Sequence, residues 1–117
     1  MLRNMCLSKI HGATVTETEL HYEGSITIPA DLLAAADMLP GERVQIVNIN
    51  NGARMETYTI EGPARSGNIC LNGPAARMAA LGDRVHVIAY AMMTEEEARA
   101  WTVNVVHVDE RNQIAEP

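Results

Sequence analysis

Short stretches in which hydrophobic and polar residues alternate, or in which hydrophobic residues run together, cover most of the chain. The side chains of a β-strand point alternately to its two faces, so this pattern predicts strands rather than long helices. Glycine, proline, asparagine and aspartate separate the stretches, as is typical of turns between short strands. We predict strands over residues 5–15 (interrupted at Gly12), 14–21, 25–28, 43–48, 54–60, 68–71, 84–92 and 103–108.

Three stretches predict short helices between these strands. Residues 30–38 form a compact apolar segment that is closed by a Pro-Gly pair. Pro74 suits the first position of a helix that runs to residue 80. Thr94, with Glu97 three residues later, forms a capping box, which predicts a helix from there to about residue 101.

The turns and the ends of the chain complete the predicted fold class. Asn51-Gly52 indicates a hairpin-type turn between its flanking strands. The polar residues 110–117 show no periodicity, so we expect a loose tail there. Many short strands with brief helices between them predict a mainly β protein, a small β-barrel with short connecting helices. No linker or repeat divides the sequence, so we expect one domain over residues 1–117.

Composition and charge narrow the classes of function. The 117 residues are 47% hydrophobic and lack phenylalanine, so aliphatic side chains and methionine must fill the core. The net charge of -6 argues against nucleic acid or an anionic membrane as the main partner. No apolar run could span a bilayer and no signal-peptide core is present, so we expect a cytoplasmic protein. Cys6 and Cys70 match no metal-ligand spacing, which favours buried reduced thiols and no metal site.

The Gly24-Ser25 pair is the most distinctive chemical feature. Such a pair arises by chance in about one sequence in five of this composition, and for an isolated pair an ordinary turn is the favoured interpretation. The functional interpretation is self-cleavage: Ser25 Oγ attacks the carbonyl carbon of Gly24, elimination at Ser25 follows, and hydrolysis leaves a pyruvoyl group. That electrophile would form a Schiff base with an amine substrate and accept electrons as a carboxylate leaves.

Charged and hydroxyl side chains on two predicted strands could serve such a reaction. Lys9 and His11 alternate on one strand and therefore share a face. Arg54 could clamp a carboxylate, Tyr58 could donate a proton, and Thr57 could donate a hydrogen bond to the oxyanion of cleavage. The alternative is a solvated lysine and histidine together with a hairpin that exposes Arg54 and Thr57 and packs Tyr58.

The segment Asn72-Gly73-Pro74-Ala75-Ala76 joins a predicted strand to a predicted helix. Backbone N–H groups at the start of a helix bind anions readily. A structural turn capped by the Asn72 side chain is an equally satisfactory interpretation and needs no ligand.

Taken together, these blocks resemble the pyruvoyl-dependent aspartate decarboxylase family, from the start of the chain to about residue 101. Each block is modest, but their order and spacing are specific. The resemblance rests on Lys9-Ile10-His11, His21-Tyr22-Glu23-Gly24-Ser25, Asn51-Gly52 with Arg54 and Thr57-Tyr58, Asn72-Gly73 with Ala75-Ala76, and Glu96-Glu97-Ala98-Arg99 with Trp101.

The resemblance implies a double-psi β-barrel assembled as a homotetramer, with active sites between neighbouring subunits. It implies cleavage into chains 1–24 and 25–117, the longer of which begins with a covalent pyruvoyl group derived from Ser25. It also implies that Tyr58 donates a proton and that Lys9 and Arg54 supply positive charge toward the substrate. The implied substrate contacts are Thr57, Gly73, Pro74 and Ala75. The implied supporting residues are His11, Tyr22 and Asn72.

One position departs from the family pattern. The family usually has alanine where this chain has Pro74. Proline has no backbone N–H group, so an anion contact at this turn must come from Gly73 or Ala75 instead.

The implied activity is decarboxylation of L-aspartate to β-alanine and CO2, which feeds pantothenate and coenzyme A synthesis. Clamping the carboxylate that leaves would stabilise the ground state, so we expect Arg54 to hold the retained β-carboxylate. Some members of the family mature slowly or need a helper protein. A further interpretation is therefore that the folded chain is an uncleaved precursor.

Two further interpretations compete with this one. Residues 26–30 and 39–44 resemble the AbrB-like swapped-hairpin DNA-binding module, although both families could use the same strand–helix–strand element. The acidic net charge and the lack of a basic stripe argue against DNA. Other pyruvoyl decarboxylases act on histidine, arginine or S-adenosylmethionine, but the blocks above do not resemble them.

Overall fold

The computed structural model describes residues 1–116 and places strands and helices close to the predicted positions. Strands dominate, as predicted, and every helix is short. In chain order the elements are β1 (Leu2–Thr14), β2 (Glu17–Glu19), β3 (Ile26–Pro29), α1 (Ala30–Ala35), β4 (Arg43–Asn48), β5 (Arg54–Gly62), β6 (Cys70–Asn72), a 3₁₀ helix (Gly73–Met78), β7 (Arg84–Thr94), α2 (Glu95–Ala100), β8 (Asn104–Val108) and β9 (Ile114–Ala115).

The strands form one mixed sheet in the order β2-β6-β3-β5-β4-β7-β1-β8-β9. β2 lies at one edge, but it follows β1 along the chain, and the N–H group of Thr16 between them donates to the carbonyl of Ile69, 3.0 Å away. The sheet therefore closes on itself. Parallel pairs (β3 with β5, β2 with β6) mix with antiparallel ones (β4 with β5, β1 with β7). The mainly β, double-psi barrel expected from the sequence is confirmed.

Aliphatic side chains fill the interior, as the absence of phenylalanine requires. The inward positions of the strands are fully or nearly fully buried, and α1 covers the barrel with Leu32 and Leu33. The principal barrel residues are Ile10, Ile26, Ile28, Val44, Ile46, Leu71, Val85, Val87 and Ala89.

The helices differ from prediction where a local backbone conformation ends or tightens them. α1 stops at Ala35 rather than at residue 38, because Asp37 adopts a left-handed φ of 55°. The N–H groups of Asp37 and Met38 then donate to Ala34 and Leu33, which closes a Schellman-type end. The helix predicted from Pro74 is a 3₁₀ helix of six residues. The capping box of Thr94 and Glu97 is confirmed. Within residues 1–116, no helix has the length and apolarity that a membrane crossing requires.

The prediction of a loose tail over residues 110–117 is wrong for the part that the structure describes; Pro117 lies outside the described residues. β9 pairs with β8, and the side chain of Asn112 is 1% exposed. Its Oδ1 accepts from the Thr14 N–H group at 2.7 Å, and its Nδ2 donates to the carbonyls of Thr14 and Gly67 at 2.8 and 2.9 Å. One buried amide thus fixes the tail to two other segments of the barrel.

We expect Asn112→Ala to lower the free energy of unfolding by roughly 2–3 kcal/mol, because it leaves buried backbone groups without partners. Chemical denaturation measures the change. Glu110→Ala, at an exposed position of the same segment, is the control and should stay within about 0.5 kcal/mol of the parent. Equal stability of the two variants would contradict this account of the tail.

Candidate active site

The Gly24-Ser25 bond lies in a strained turn just before β3, where the chain passes from the surface into the core. Gly24 has a φ of 144° and Ser25 a φ of 99°. A side chain disfavours this region, so Ser25 holds a conformation that costs on the order of 1–3 kcal/mol. Ser25 is also fully buried, whereas Glu23 is exposed. The chain therefore places a strained serine, rather than a solvated turn residue, after the glycine.

Asn72 holds this serine through both its backbone and its side chain. Its N–H group donates to the Ser25 carbonyl at 3.0 Å. Its Nδ2 donates to Ser25 Oγ at 2.9 Å and to Thr27 Oγ1 at 3.1 Å. The side chain makes no capping hydrogen bond to the 3₁₀ helix that follows, so the interpretation of Asn72 as a helix cap is wrong. The amide oxygen that a cap would use accepts instead from the Cys70 thiol at 3.2 Å.

Gly73 packs against the backbone that precedes the Gly24-Ser25 bond. A Cβ atom at residue 73 would lie 2.6 Å from the Tyr22 carbonyl oxygen and 2.8 Å from the Gly24 nitrogen. Gly73 also has a φ of 60°. Both its conformation and its surroundings therefore exclude a side chain, which explains why glycine follows Asn72.

The residues after Gly73 lie where the sequence predicted them, at the start of the helical turn. Pro74 is exposed and occupies an N-terminal position of the 3₁₀ helix, while Ala75 is buried. Because Pro74 lacks an N–H group, the backbone donors available at this turn are those of its two neighbours.

Arg54, Thr57 and Tyr58 lie on β5, which pairs in parallel with β3. The pairing begins with Ile26 opposite Thr59, so its continuation by one residue brings Ser25 beside Tyr58. Along β5 the exposed positions alternate with the more buried ones: Arg54 and Tyr58 share the outer face, and Thr57 lies on the other. Among residues 1–116, no hydrogen bond or ion pair joins any of these three side chains to Ser25.

Lys9 and His11 share a face of β1, as predicted, on either side of the buried Ile10. The His11 ring lies 4.2 Å from the His86 ring and 5.2 Å from the His107 ring, measured between centroids. Burial, then the charge of Lys9, lowers the pKa of His11. The same two causes lower the pKa of His86 to about 4. His86 is thus neutral at pH 7, and its Nδ1 accepts from the Gly12 N–H group at 3.1 Å.

The structure does not bring Lys9 to Ser25 within one chain. Lys9 lies opposite Ile88, which lies opposite Gln45, which lies opposite Glu56 on β5. Three strand spacings, roughly 14 Å along the sheet, therefore separate Lys9 from β5.

A groove on the outer surface of the barrel does not reach Ser25. It has a volume of about 490 Å³ and lies on the outer face of β1, β4, β5 and β7. Neither Gly24, Ser25 nor Asn72 lines it; its walls are Asn4, Arg43, Val44, Gln45, Glu56, Tyr90 and Met92. No group of three or more metal-ligating side chains occurs among residues 1–116.

Sequence reasoning missed two residues beside Ser25, namely Thr27 and Cys70. Thr27 accepts a hydrogen bond from Asn72, and the Cys70 thiol donates to Asn72 Oδ1 at 3.2 Å. Their spacing carried a signal: Thr27 lies two residues after Ser25 and Cys70 two residues before Asn72, so each shares a strand face with its neighbour.

We expect Gly73→Ala to destabilise the chain by about 1–3 kcal/mol more than Gly82→Ala does, because only the former forces a side chain into the Tyr22–Gly24 backbone. Gly82 has a φ of 89°, and a Cβ there would meet nothing within 4 Å. It is therefore a matched control for the left-handed conformation. Chemical denaturation of both variants is the measurement, and equal losses would contradict the packing argument.

Comparison of the sequence with known proteins identifies its family. The model of the aspartate decarboxylase family matches residues 1–115. The chain is 59% identical over 114 residues to the aspartate 1-decarboxylase of Carboxydothermus hydrogenoformans, a match that covers 97% of this chain and 90% of the relative. It is 58% identical over 111 residues to the aspartate 1-decarboxylase of Salinibacter ruber, covering 95% of this chain and 76% of the relative. The chain belongs to the aspartate decarboxylase family.

Proposed function

We propose that this protein cleaves itself between Gly24 and Ser25 and then decarboxylates L-aspartate to β-alanine and CO2. The observation that carries the proposal is the state of Ser25: buried, strained at φ 99°, and held at Oγ by Asn72. Strain at a buried nucleophile next to glycine is what an intramolecular attack on the backbone requires.

The proposed cleavage proceeds in balanced steps. Ser25 Oγ bonds to the Gly24 carbonyl carbon, the Gly24–Ser25 C–N bond breaks, and the hydroxyl proton passes to the freed Ser25 nitrogen. A base then removes the Cα proton of residue 25, the Cβ–Oγ bond breaks, and Gly24 leaves as a carboxylate. Water adds to the remaining residue and ammonia leaves, which gives the pyruvoyl end of chain 25–117.

The residues around Ser25 fit the formation of a pyruvoyl group at this position. The absence of a side chain at Gly73 lets residues 22–24 pack against the turn, and Asn72 offers an N–H donor to Oγ. Thr57 lies one residue before Tyr58 on β5 and is our candidate donor to the oxyanion of cleavage. Once formed, a pyruvoyl group supplies a ketone that binds the substrate amine and accepts the electron pair released with CO2.

A second copy of the chain would complete the substrate site. Lys9 lies too far from β5 within one chain, and Ser25 does not line the groove described above. We therefore infer that Lys9 of the partner subunit faces Arg54 and Tyr58 across an interface, as in a homotetramer with shared sites. Exposed apolar side chains on the outer surface suit such contacts; the relevant residues are Leu2, Tyr90, Met92, Trp101, Val103 and Val105.

Tyr58 is the candidate proton donor to the carbon that loses CO2. Its side chain is 42% exposed, and no group among residues 1–116 accepts a hydrogen bond from its hydroxyl. The proton of the Tyr58 Oη atom is therefore free for a substrate bound beside residue 25.

The wider setting stays at the level of prediction. A role in pantothenate and coenzyme A synthesis and a maturation helper protein are implied by the sequence resemblance, and a cytoplasmic location is the expectation drawn from the hydropathy of the sequence. The DNA-binding alternative has lost its support, because the match to the aspartate decarboxylase family spans residues 26–44 as well.

Tyr58→Phe should still convert to two chains but release CO2 from aspartate at least about 100-fold more slowly, because only the proton donor is lost. The time course of CO2 release measures this, and a denaturing gel shows the conversion. Ser25→Ala is the control and should stay a single inactive chain. Full turnover by Tyr58→Phe would assign the proton to another group or to water.

Arg54→Lys should raise KM for aspartate about tenfold or more while changing kcat less, because lysine cannot hold a carboxylate with two parallel hydrogen bonds. Initial rates over a range of aspartate concentrations separate the two parameters. A structure with bound substrate should show Arg54 on the β-carboxylate; contact with the α-carboxylate would overturn this assignment.

A further inference from the structure

Ser25, Thr27, Cys70 and Asn72 form a compact group on one face of the β3–β6 pair, which we name the Ser25 quartet. Thr27 lies opposite Cys70 in the antiparallel register, and the next step places Ser25 opposite Asn72. Ile26 and Leu71, between them in sequence, point into the core and are fully buried. Ser25, Cys70 and Asn72 are at most 5% exposed although they face away from the barrel interior.

Every polar atom of the Asn72 amide has a partner in this quartet. The two Nδ2 hydrogens serve the oxygens of Ser25 and Thr27, and Oδ1 accepts from the Cys70 thiol. A hydroxyl can donate as well as accept, so Ser25 and Thr27 would tolerate the amide in either orientation. The thiol favours the observed orientation, because its S–H group donates to Oδ1, whereas its sulfur would be a weak acceptor for the Nδ2 group of a flipped amide.

We propose that Cys70 is a positioning residue for self-cleavage: its S–H group fixes the Asn72 amide so that an N–H donor, and not the carbonyl oxygen, faces Ser25 Oγ. This inference rests on the proposed self-cleavage. Cys70 touches neither the scissile carbonyl nor the substrate; it acts through Asn72.

The orientation matters at both chemical steps. With Nδ2 toward Ser25, the hydroxyl proton is not tied to the amide and Oγ is held in place for attack. When the Cβ–Oγ bond breaks, the same N–H group stabilises the negative charge that Oγ carries away on the Gly24 carboxylate. In the flipped amide, the hydroxyl would donate its proton to Oδ1 and Oγ would lose its donor.

The thiol is suited to remain a donor. Burial, then the charge of the nearby Glu17 carboxylate and its hydrogen bonding with the thiol, raises the pKa of Cys70 to about 11, so the sulfur keeps its proton at neutral pH. Glu17 thus competes with Asn72 Oδ1 for this proton, but the hydrogen bond with good geometry is the one to Oδ1, at 3.2 Å. Glu17 lies opposite Cys70 in the β2–β6 pair and already accepts from Asn68 Nδ2 at 3.1 Å.

The test follows conversion of the full chain from one band to two over time. Cys70→Val fills the space without a donor, and Cys70→Ala removes the donor without adding bulk. Cys70→Ser restores a donor to Oδ1, although its oxygen is a better acceptor than sulfur. We expect Val and Ala to slow conversion by about five- to tenfold, the factor that one hydrogen bond is worth, and Ser to convert faster than either. Cys6, the other cysteine, lies on β1. The control variant Cys6→Val should convert at the parental rate.

Stability is measured separately in a Ser25→Ala background, where no variant can cleave. Similar melting temperatures for the Val and Ser forms would show that rescue by Ser reflects hydrogen bonding rather than folding. Equal rates for all Cys70 variants, or equal slowing by Ser and Val, would overturn the proposal while leaving self-cleavage intact. A parent chain that never converts would instead refute the proposed function itself.

Discussion

The pairing of β3 with β6 is the constraint on which the rest of the site depends. It sets Ser25 against Asn72 and places Gly73 beneath residues 22–24. The strain at Ser25 persists because this pairing, and the close approach of two backbones at Gly73, leave the turn no relaxed alternative. The reactive conformation is therefore a property of the barrel wall rather than of the Gly-Ser pair itself.

The barrel supports this pair from both sides. β3 also pairs with β5, which carries the candidate substrate residues, and β6 pairs with β2, which closes the sheet. Asn112 binds the start of that closing segment to the loop before β6 through Thr14 and Gly67. The proposed nucleophile and the candidate substrate residues thus lie on neighbouring segments of the barrel, while Lys9 lies three strands away from β5. A site shared between copies of the chain reconciles these positions.

Sequence patterns predicted the features that depend on local chemistry. Alternation gave β4 its correct bounds, the capping box at Thr94 opened α2, and the spacing of Gly24-Ser25, Arg54, Tyr58 and Asn72 indicated the family. Features that depend on distant partners were missed. Asn72 is a residue type that caps helices, and only the fold shows that its amide oxygen accepts from the Cys70 thiol instead. Asn112 lies in a polar segment whose burial depends on Thr14, almost a hundred positions earlier. The thiol of Cys70 gained a role only once its register with Thr27 was known.

The measurement that tests the central claim most directly is the intact mass of the purified protein under denaturing conditions. The account predicts two chains that divide after Gly24, the larger with a pyruvoyl group in place of its terminal serine. A single chain of full-length mass that stays uncut on prolonged incubation, with Ser25 unmodified, would contradict it.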